Sequence, residues 1–287
     1  MEAQVYNIYK QEMSKDDFSR LSNSIYRLCG ISLPEVKKTL IEGRIRKRMK
    51  QLEINTYNSY INYLFSDAGM ENEIIPFIDV VTTNKTDFFR ESVHFDFLTE
   101  TILPELTKQG KKIGWKKPLL FWSAGCSTGE EPYTLAIVLN EFRKINSDYQ
   151  FDIFASDIST EVLSKASMGI FEMEKADVIP IELKKKYLLK SKDPNKPHVR
   201  FIPELRRQIQ FSRINFMDDN YDLPDNLDVV FCRNVLIYFD KATQEKVLKK
   251  ISLKMTSGGF LFLGHSETIM GMELALKRVA STIYRKN

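Results

Sequence analysis

Residues 119–137 read LLFWSAGCSTGEEPYTLAI, and the fold turns on how this stretch is read. A hydrophobic run ends in small residues and in Gly125 and Gly129, and a helical pattern begins at about Glu130 or Pro132. Strand, glycine turn and helix form the opening unit of an open parallel sheet, where ligands bind at the carboxyl ends of strands. Glycines let a backbone approach a ligand closely, and a helix start offers free N–H donors. The loop is neither G-x-G-x-x-G nor a Walker loop, because no Lys-Ser/Thr pair follows Gly129. Glu130 and Glu131 would repel a pyrophosphate, which tilts the ligand toward something cationic or uncharged. An ordinary tight strand–helix turn fits the same letters.

Downstream, strand and helix alternate. YQFDIFASDIS reads as a strand, TEVLSKASMGIF as a helix, NLDVVFCRNVLIYF as a strand entering a loop, KATQEKVLKKISLKM as an amphipathic helix and GGFLFLGHSE as a strand. That rhythm predicts a mostly parallel sheet covered on both faces. Residues 172–213 interrupt it. They read as a helix (ELKKKYLLK), a polar loop (KSKDPNKPH) and short antiparallel strands (HVRFIP, QIQFSRINF), an insertion into the sheet domain. Upstream, the front of the chain reads as all-helical. Ser14 is a good N-cap, and Phe18, Leu21, Ile25 and Leu28 recur at helical spacing. Ile41, Ile45, Met49 and Leu52 stripe a second helix, and YNSYINYLFS is a third.

Composition narrows the class. The 287 residues suggest two domains. With 43% apolar and 28% charged residues, the chain is neither disordered nor fibrous. A formal charge of +4 is too mild to argue for nucleic acid. No apolar run is long enough to span a membrane, and the first residues mix acids with apolar side chains unlike a secretory leader. Cys29, Cys126 and Cys232 read as reduced thiols of a cytoplasmic protein. His94, His198 and His265 stand at unrelated spacings, so no metal site is expected.

Four clusters carry candidate chemistry: the glycine loop; Asp157, placed to hold a ribose or merely to cap the next helix; Arg233, Asn234 and Tyr238 after the VVFC strand; and TTNKTDFFRES, residues 82–92. The last is a dense polar bridge between the two halves of the chain, or simply a helix capped by Thr86 or Asp87.

Together TTNKTDFFRE, WSAGCSTGEEPYTLAI, FASDIS, FCRNVLIYF and GHSE resemble the chemotaxis receptor glutamate methyltransferases of the CheR type, over nearly the whole chain. The resemblance implies an all-helical receptor-docking domain (1–78), a cofactor-contacting linker (79–95) and a Rossmann-like methyltransferase domain (96–287) with a β-subdomain inserted at about 172–213. It implies methyl transfer from S-adenosylmethionine to glutamate carboxylates on cytoplasmic helices of membrane chemoreceptors, with S-adenosylhomocysteine as by-product. Localisation would be cytoplasmic, at receptor arrays on the inner membrane, without membrane insertion. By motif, Asn84, Thr86, Arg90, Glu131, Asp157, Asn215, Phe216, Arg233 and Asn234 contact the cofactor. Arg90 pairs with its carboxylate, and the Tyr238 ring faces the sulfonium. The basic helix carrying Arg44, Arg46, Lys47, Arg48 and Lys50 is the implied docking face. Some members bind a receptor-tail pentapeptide as an added strand. Their glycine-bearing loop corresponds here to KSKDPNKPH, which has none.

Three other readings compete. A nucleic-acid methyltransferase would carry an Asn/Asp-Pro-Pro-Tyr/Phe segment where CRNVLIYF stands. A non-catalytic sensor module would not need Arg90, Asp157 and Tyr238 together. An NAD-dependent oxidoreductase lacks its third glycine.

Overall fold

A computed structural model describes residues 11–108, 117–146 and 149–287. The first residues, read above as no leader, fall outside these.

The front domain is helical: α1 (Lys15–Cys29), α2 (Lys38–Gln51), α3 (Tyr57–Leu64), α4 (Asp67–Asn72) and α5 (Ile74–Val81). Ser14 caps α1 by accepting the Asp17 N–H at 3.0 Å. Phe18, Leu21, Ile25 and Cys29 are its buried face. Cys29 rather than Leu28 closes the stripe, since i+4 and i+3 both return to one face. Ile41, Ile45 and Met49 of α2 pack against α3 and α5 through Tyr60, Leu64, Phe77 and Ile78. A charged knot lies inside: Glu73, 1% exposed, accepts from Arg48 Nε at 2.9 Å and from the Tyr60 hydroxyl at 2.8 Å. Helix α5 runs to Val81, past the domain end expected at 78.

After an irregular linker come α6 (Val93–Phe97), a π turn (Leu98–Ile102) and α7 (Leu103–Lys108). The main sheet has seven strands in the order β6-β2-β1-β7-β8-β10-β9. These are β1 (Leu119–Ala124), β2 (Phe151–Asp157), β6 (Ile209–Arg213), β7 (Leu227–Cys232), β8 (Met255–Leu263), β9 (Leu276–Ala280) and β10 (Ile283–Lys286). β6 through β8 are parallel, while β10 runs antiparallel to both β8 and β9. Every residue of β7 is buried, as a strand covered on both faces requires. Helices α8 (Glu130–Ile145), α9 (Thr160–Met168) and α12 (Lys241–Lys254) make the crossovers. From β1 the chain moves outward to β2 and β6, then returns to lay β7 on β1's other side. The crevice between β1 and β7 is therefore the topological switch point, where ligands bind.

A small antiparallel sheet, β3-β5-β4, is built from β3 (Ile170–Glu172), β4 (Leu188–Lys190) and β5 (His198–Phe201), with α10 (Ile181–Tyr187) before β4 and α11 (Pro203–Arg206) after β5. The insertion expected at 172–213 is corrected at its far end. QIQFSRINF supplies β6, the edge strand of the main sheet, pairing parallel with β2 from Ile153↔Ile209 to Asp157↔Arg213. Its alternation suits an edge as well as a hairpin, so its letters alone could not choose.

Candidate active site

The carboxyl end of β1 is a loop pinned by backbone. The N–H groups of Gly125 and Cys126 both donate to Ser156 O at 2.8 Å. Gly125 has φ +82°, and a Cβ there would lie 2.4 Å from Val235 Cγ2, so only glycine fits. Asp157, at the end of β2, accepts the Ser127 N–H at 2.9 Å and the Ser159 N–H at 3.0 Å. It is not the cap of α9. Ser159 is, accepting the Val162 N–H at 3.3 Å. Burial raises the Asp157 carboxyl above its ordinary range although these donors pull it down.

The two loop acids part company. Glu130 is fully buried and turned away from the crevice, holding Lys175 Nζ at 2.8 Å and the Thr128 hydroxyl at 2.6 Å. Lys175 lies between β3 and β4, so this ion pair ties the glycine loop to the small sheet. Glu131 lines the crevice, accepts from Ser123 Oγ at 2.7 Å and lies 3.6 Å from Arg233 Nε. Burial raises its carboxyl above the usual value, more than Arg233 lowers it.

After β7, Arg233 is sandwiched near Phe95 and Phe231. It donates to the Arg90 carbonyl, while its Nε and Nη1 are buried without a hydrogen-bond partner. The turn that follows is organised by Glu267 of the GHSE segment. Glu267 Oε2 accepts the N–H groups of Asn234 (2.9 Å) and Gly264 (2.6 Å), and Oε1 accepts that of Leu236 (2.7 Å). Glu91 is a second hub: its Oε1 accepts the His265 N–H at 3.2 Å and Asn234 Nδ2 at 3.4 Å. Sequence reasoning missed both acids as site residues, although each sat inside a quoted motif.

Residues 82–92 form neither a helix nor a slack connection. Phe89 and Glu91 adopt φ +52° and +55°. Main-chain groups lace the linker to its surroundings: Asn84 O to Ser127 Oγ at 3.1 Å, and Phe89 N to Thr134 Oγ1 at 3.2 Å. Arg90 donates only to Lys85 O, at 3.1 Å, and has no carboxylate partner among the described residues. Tyr238 is half-buried, with its hydroxyl 3.4 Å from Thr83 O and Lys37 Nζ 5.7 Å from its ring centre. Burial raises its pKa, so the phenol keeps its proton at neutral pH. From the front domain, Leu28 O accepts Asn215 Nδ2 at 2.6 Å, and Phe216 packs near Trp122.

The resulting cleft, about 320 Å³, is lined by all ten residues assigned to cofactor and methyl group: Asn84, Thr86, Arg90, Glu131, Asp157, Asn215, Phe216, Arg233, Asn234 and Tyr238. Residues from four strand ends and the linker thus reach one space. The helix assigned to docking is less uniform. Arg44 donates to Val81 O (2.7 Å) and Thr82 O (2.8 Å), closing the end of α5, and Arg48 is committed to Glu73. Arg46 donates to Gln11 O at 3.0 Å. Lys47 and Lys50 are exposed. Only these last two are free of such duties.

A cleft with acids, one unpaired arginine and an aromatic wall fits a ligand carrying both a carboxylate and positive charge. Comparison with known proteins agrees. Residues 84–285 match the family described as "CheR methyltransferase, SAM binding domain", and residues 16–82 match "CheR methyltransferase, all-alpha domain". A chemotaxis protein methyltransferase of Borreliella burgdorferi is 39% identical over 276 residues, covering 96% of this chain and 95% of its own. Chemotaxis protein methyltransferase 2 of Pseudomonas aeruginosa is 36% identical, with 94% and 93% covered. The Escherichia coli chemotaxis protein methyltransferase is 34% identical, with 95% and 91% covered.

Proposed function

We infer from the cleft how this chain, which belongs to the CheR methyltransferase family, divides its work among its residues. It is an S-adenosylmethionine-dependent methyltransferase of chemoreceptor glutamates. S-adenosylmethionine supplies a methyl group on a positively charged sulfur. The fit rests on Arg90, which lacks a carboxylate partner among the described residues, on the orphaned Nε and Nη1 of Arg233, and on Glu131 and Asp157 facing the same space.

Arg90 takes the amino-acid carboxylate through its planar fork. Glu131 faces the cofactor's ammonium. Asp157 holds the ribose, its carboxylate already oriented by the Ser127 and Ser159 N–H groups. Asn215 and Phe216 stand on the adenine side. The protonated phenol of Tyr238 presents its ring to positive charge. A receptor glutamate, with an ordinary pKa of ~4.3, arrives ionised and needs no base. The protein contributes alignment and exclusion of water, the latter from Phe95, Val235, Ile237 and Phe239 around the cleft. Arg90 and Tyr238 are the residues we assign to the reacting end.

The exposed Lys47 and Lys50 present positive charge on α2, the helix that also lends Leu40, Ile41 and Arg44 to this cleft, for acidic receptor helices. Among the described residues no helix is long and apolar enough to cross a membrane. We place the chain in the cytoplasm at receptor arrays, through its substrate. A receptor tail would add to the edge of the small sheet, but the glycine-free 190–198 loop speaks against tail binding here. The observation that carries this reading is convergence of Arg90, Glu131, Asp157 and Tyr238 on one cleft. The test is transfer of labelled methyl from S-adenosylmethionine to receptor-enriched membranes. Base-labile label on the receptor supports it, and label on nucleic acid or none at all overturns it.

A further inference from the structure

His94 and His265, distant in sequence, lie with ring centres 5.2 Å apart behind Arg233. Glu91 completes the group. Its Oε2 is 3.5 Å from His94 Nδ1 and 3.9 Å from His265 Nε2, and the three ligand atoms all fall within 4.8 Å of one another. The expectation of no metal site came from sequence spacing, which says nothing about residues that two separate segments bring together.

Thr282 Oγ1 lies 2.8 Å from Ser281 O and 2.9 Å from His94 Nε2; with its proton on Ser281 O, it accepts from His94 Nε2. In that tautomer His94 carries its proton on Nε2, and its Nδ1 presents a lone pair. That lone pair points at a carboxylate oxygen, and neither atom has a hydrogen-bond partner. His94 is 2% exposed. Two buried acceptors facing each other at 3.5 Å repel unless a positive centre lies between them.

We propose that Glu91 Oε2, His94 Nδ1 and His265 Nε2 form a binding site for a borderline divalent metal ion of the zinc type. Two imidazoles and one carboxylate are an established zinc donor set with a fourth position open. Tetrahedral bonds of ~2.1 Å place ligand atoms about 3.4 Å apart. The Glu91–His94 pair already stands there, and the half-exposed His265 side chain is free to close the remaining gap. The other Glu91 oxygen keeps its bonds to the His265 N–H and Asn234. Arg233 Nε, 3.5 Å from Oε2, is the opposing charge, and Glu131, 3.6 Å away on its other side, balances it. An ion here draws Glu91 from Arg233, a residue of the cleft wall.

The test is calorimetric titration of the metal-stripped full chain with zinc chloride, beside its His265→Ala variant. That side chain is 54% exposed, so its removal spares the core. One zinc per chain, weakened at least ~10-fold in His265→Ala, supports the site. No binding below about 100 µM, or equal affinity in the variant through the buried thiols or adventitious contacts, overturns it. S-adenosylhomocysteine titration of the same preparations reports separately on the cofactor cleft.

Discussion

Glu267→Gln is the sharpest perturbation the structure offers, since it preserves shape while changing what one side chain accepts. The carboxylate takes three backbone N–H groups: two on Oε2, from Asn234 and Gly264, and one on Oε1, from Leu236. An amide has one oxygen. Its best placement keeps the Asn234 and Gly264 bonds as weaker neutral ones and turns its NH2 toward the Leu236 N–H, donor against donor. Leu236 is 1% exposed, so water does not replace the lost partner. An unsatisfied buried donor costs ~1–3 kcal/mol, and two bonds each fall from ~1.5–3 to ~0.5–1.5 kcal/mol. Relief from burying a charge returns part of this, for burial raises the Glu267 carboxyl above its ordinary range. A net loss of about 2–3 kcal/mol remains, worth ~4–12 °C in Tm for a domain of this size. Because the same turn carries Asn234 and Tyr238, affinity for S-adenosylhomocysteine should fall ~10-fold or more. Thermal unfolding and calorimetric titration measure the two. A Tm within about 1 °C of the parent, with unchanged affinity, would refute the assignment of Glu267 as organiser of the strand-end turn.

Asp157→Asn removes the charge and one of the two acceptor oxygens offered to the ribose and weakens the anchor of the Ser127 loop. S-adenosylhomocysteine should bind ~10–100-fold more weakly, the worth of one or two charge-assisted bonds, and unaltered titration would remove the role. Glu131 is raised by burial in the free protein, whereas an ammonium beside it favours the ionised form. Below the carboxyl's free-protein pKa, cofactor binding should therefore release a proton, and affinity should climb as pH rises toward that pKa and level off above it. Binding enthalpies that are identical in buffers of different ionisation heat would contradict this. Lys47→Glu with Lys50→Glu should raise the receptor KM and leave S-adenosylhomocysteine affinity in place. An unmoved KM takes the docking face elsewhere.

Some of this was legible in the sequence for a physical reason. A strand buried on both faces is nearly all apolar, so polar residues where it stops, such as Asp157 or Arg233 and Asn234, stand out at the sheet's carboxyl edge. The linker announced itself by polar density. What stayed hidden depended on partners that no local pattern names. Helical spacing put Arg44 and Arg48 near the edge of the apolar stripe on α2, yet only the arrival of α5 and Glu73 decides that they serve the fold. Glu130 and Glu131 are neighbours on one helix turn, so 100° of rotation sends one to Lys175 and the other to the cleft. Glu267 and Glu91 act on backbone N–H groups of other segments, which leave no mark on periodicity.

The cleft straddles a border. Leu28 O of the front domain holds Asn215, Ser32 N donates to Tyr238 O at 2.9 Å, and the Tyr26 hydroxyl reaches Asp240 at 2.7 Å. The helical half is thus a wall of the pocket and not an appendage that merely delivers a receptor. Cutting the chain at the border would strip that wall, and saturating the intact protein with S-adenosylhomocysteine should merge its calorimetric melting into a single, more cooperative endotherm.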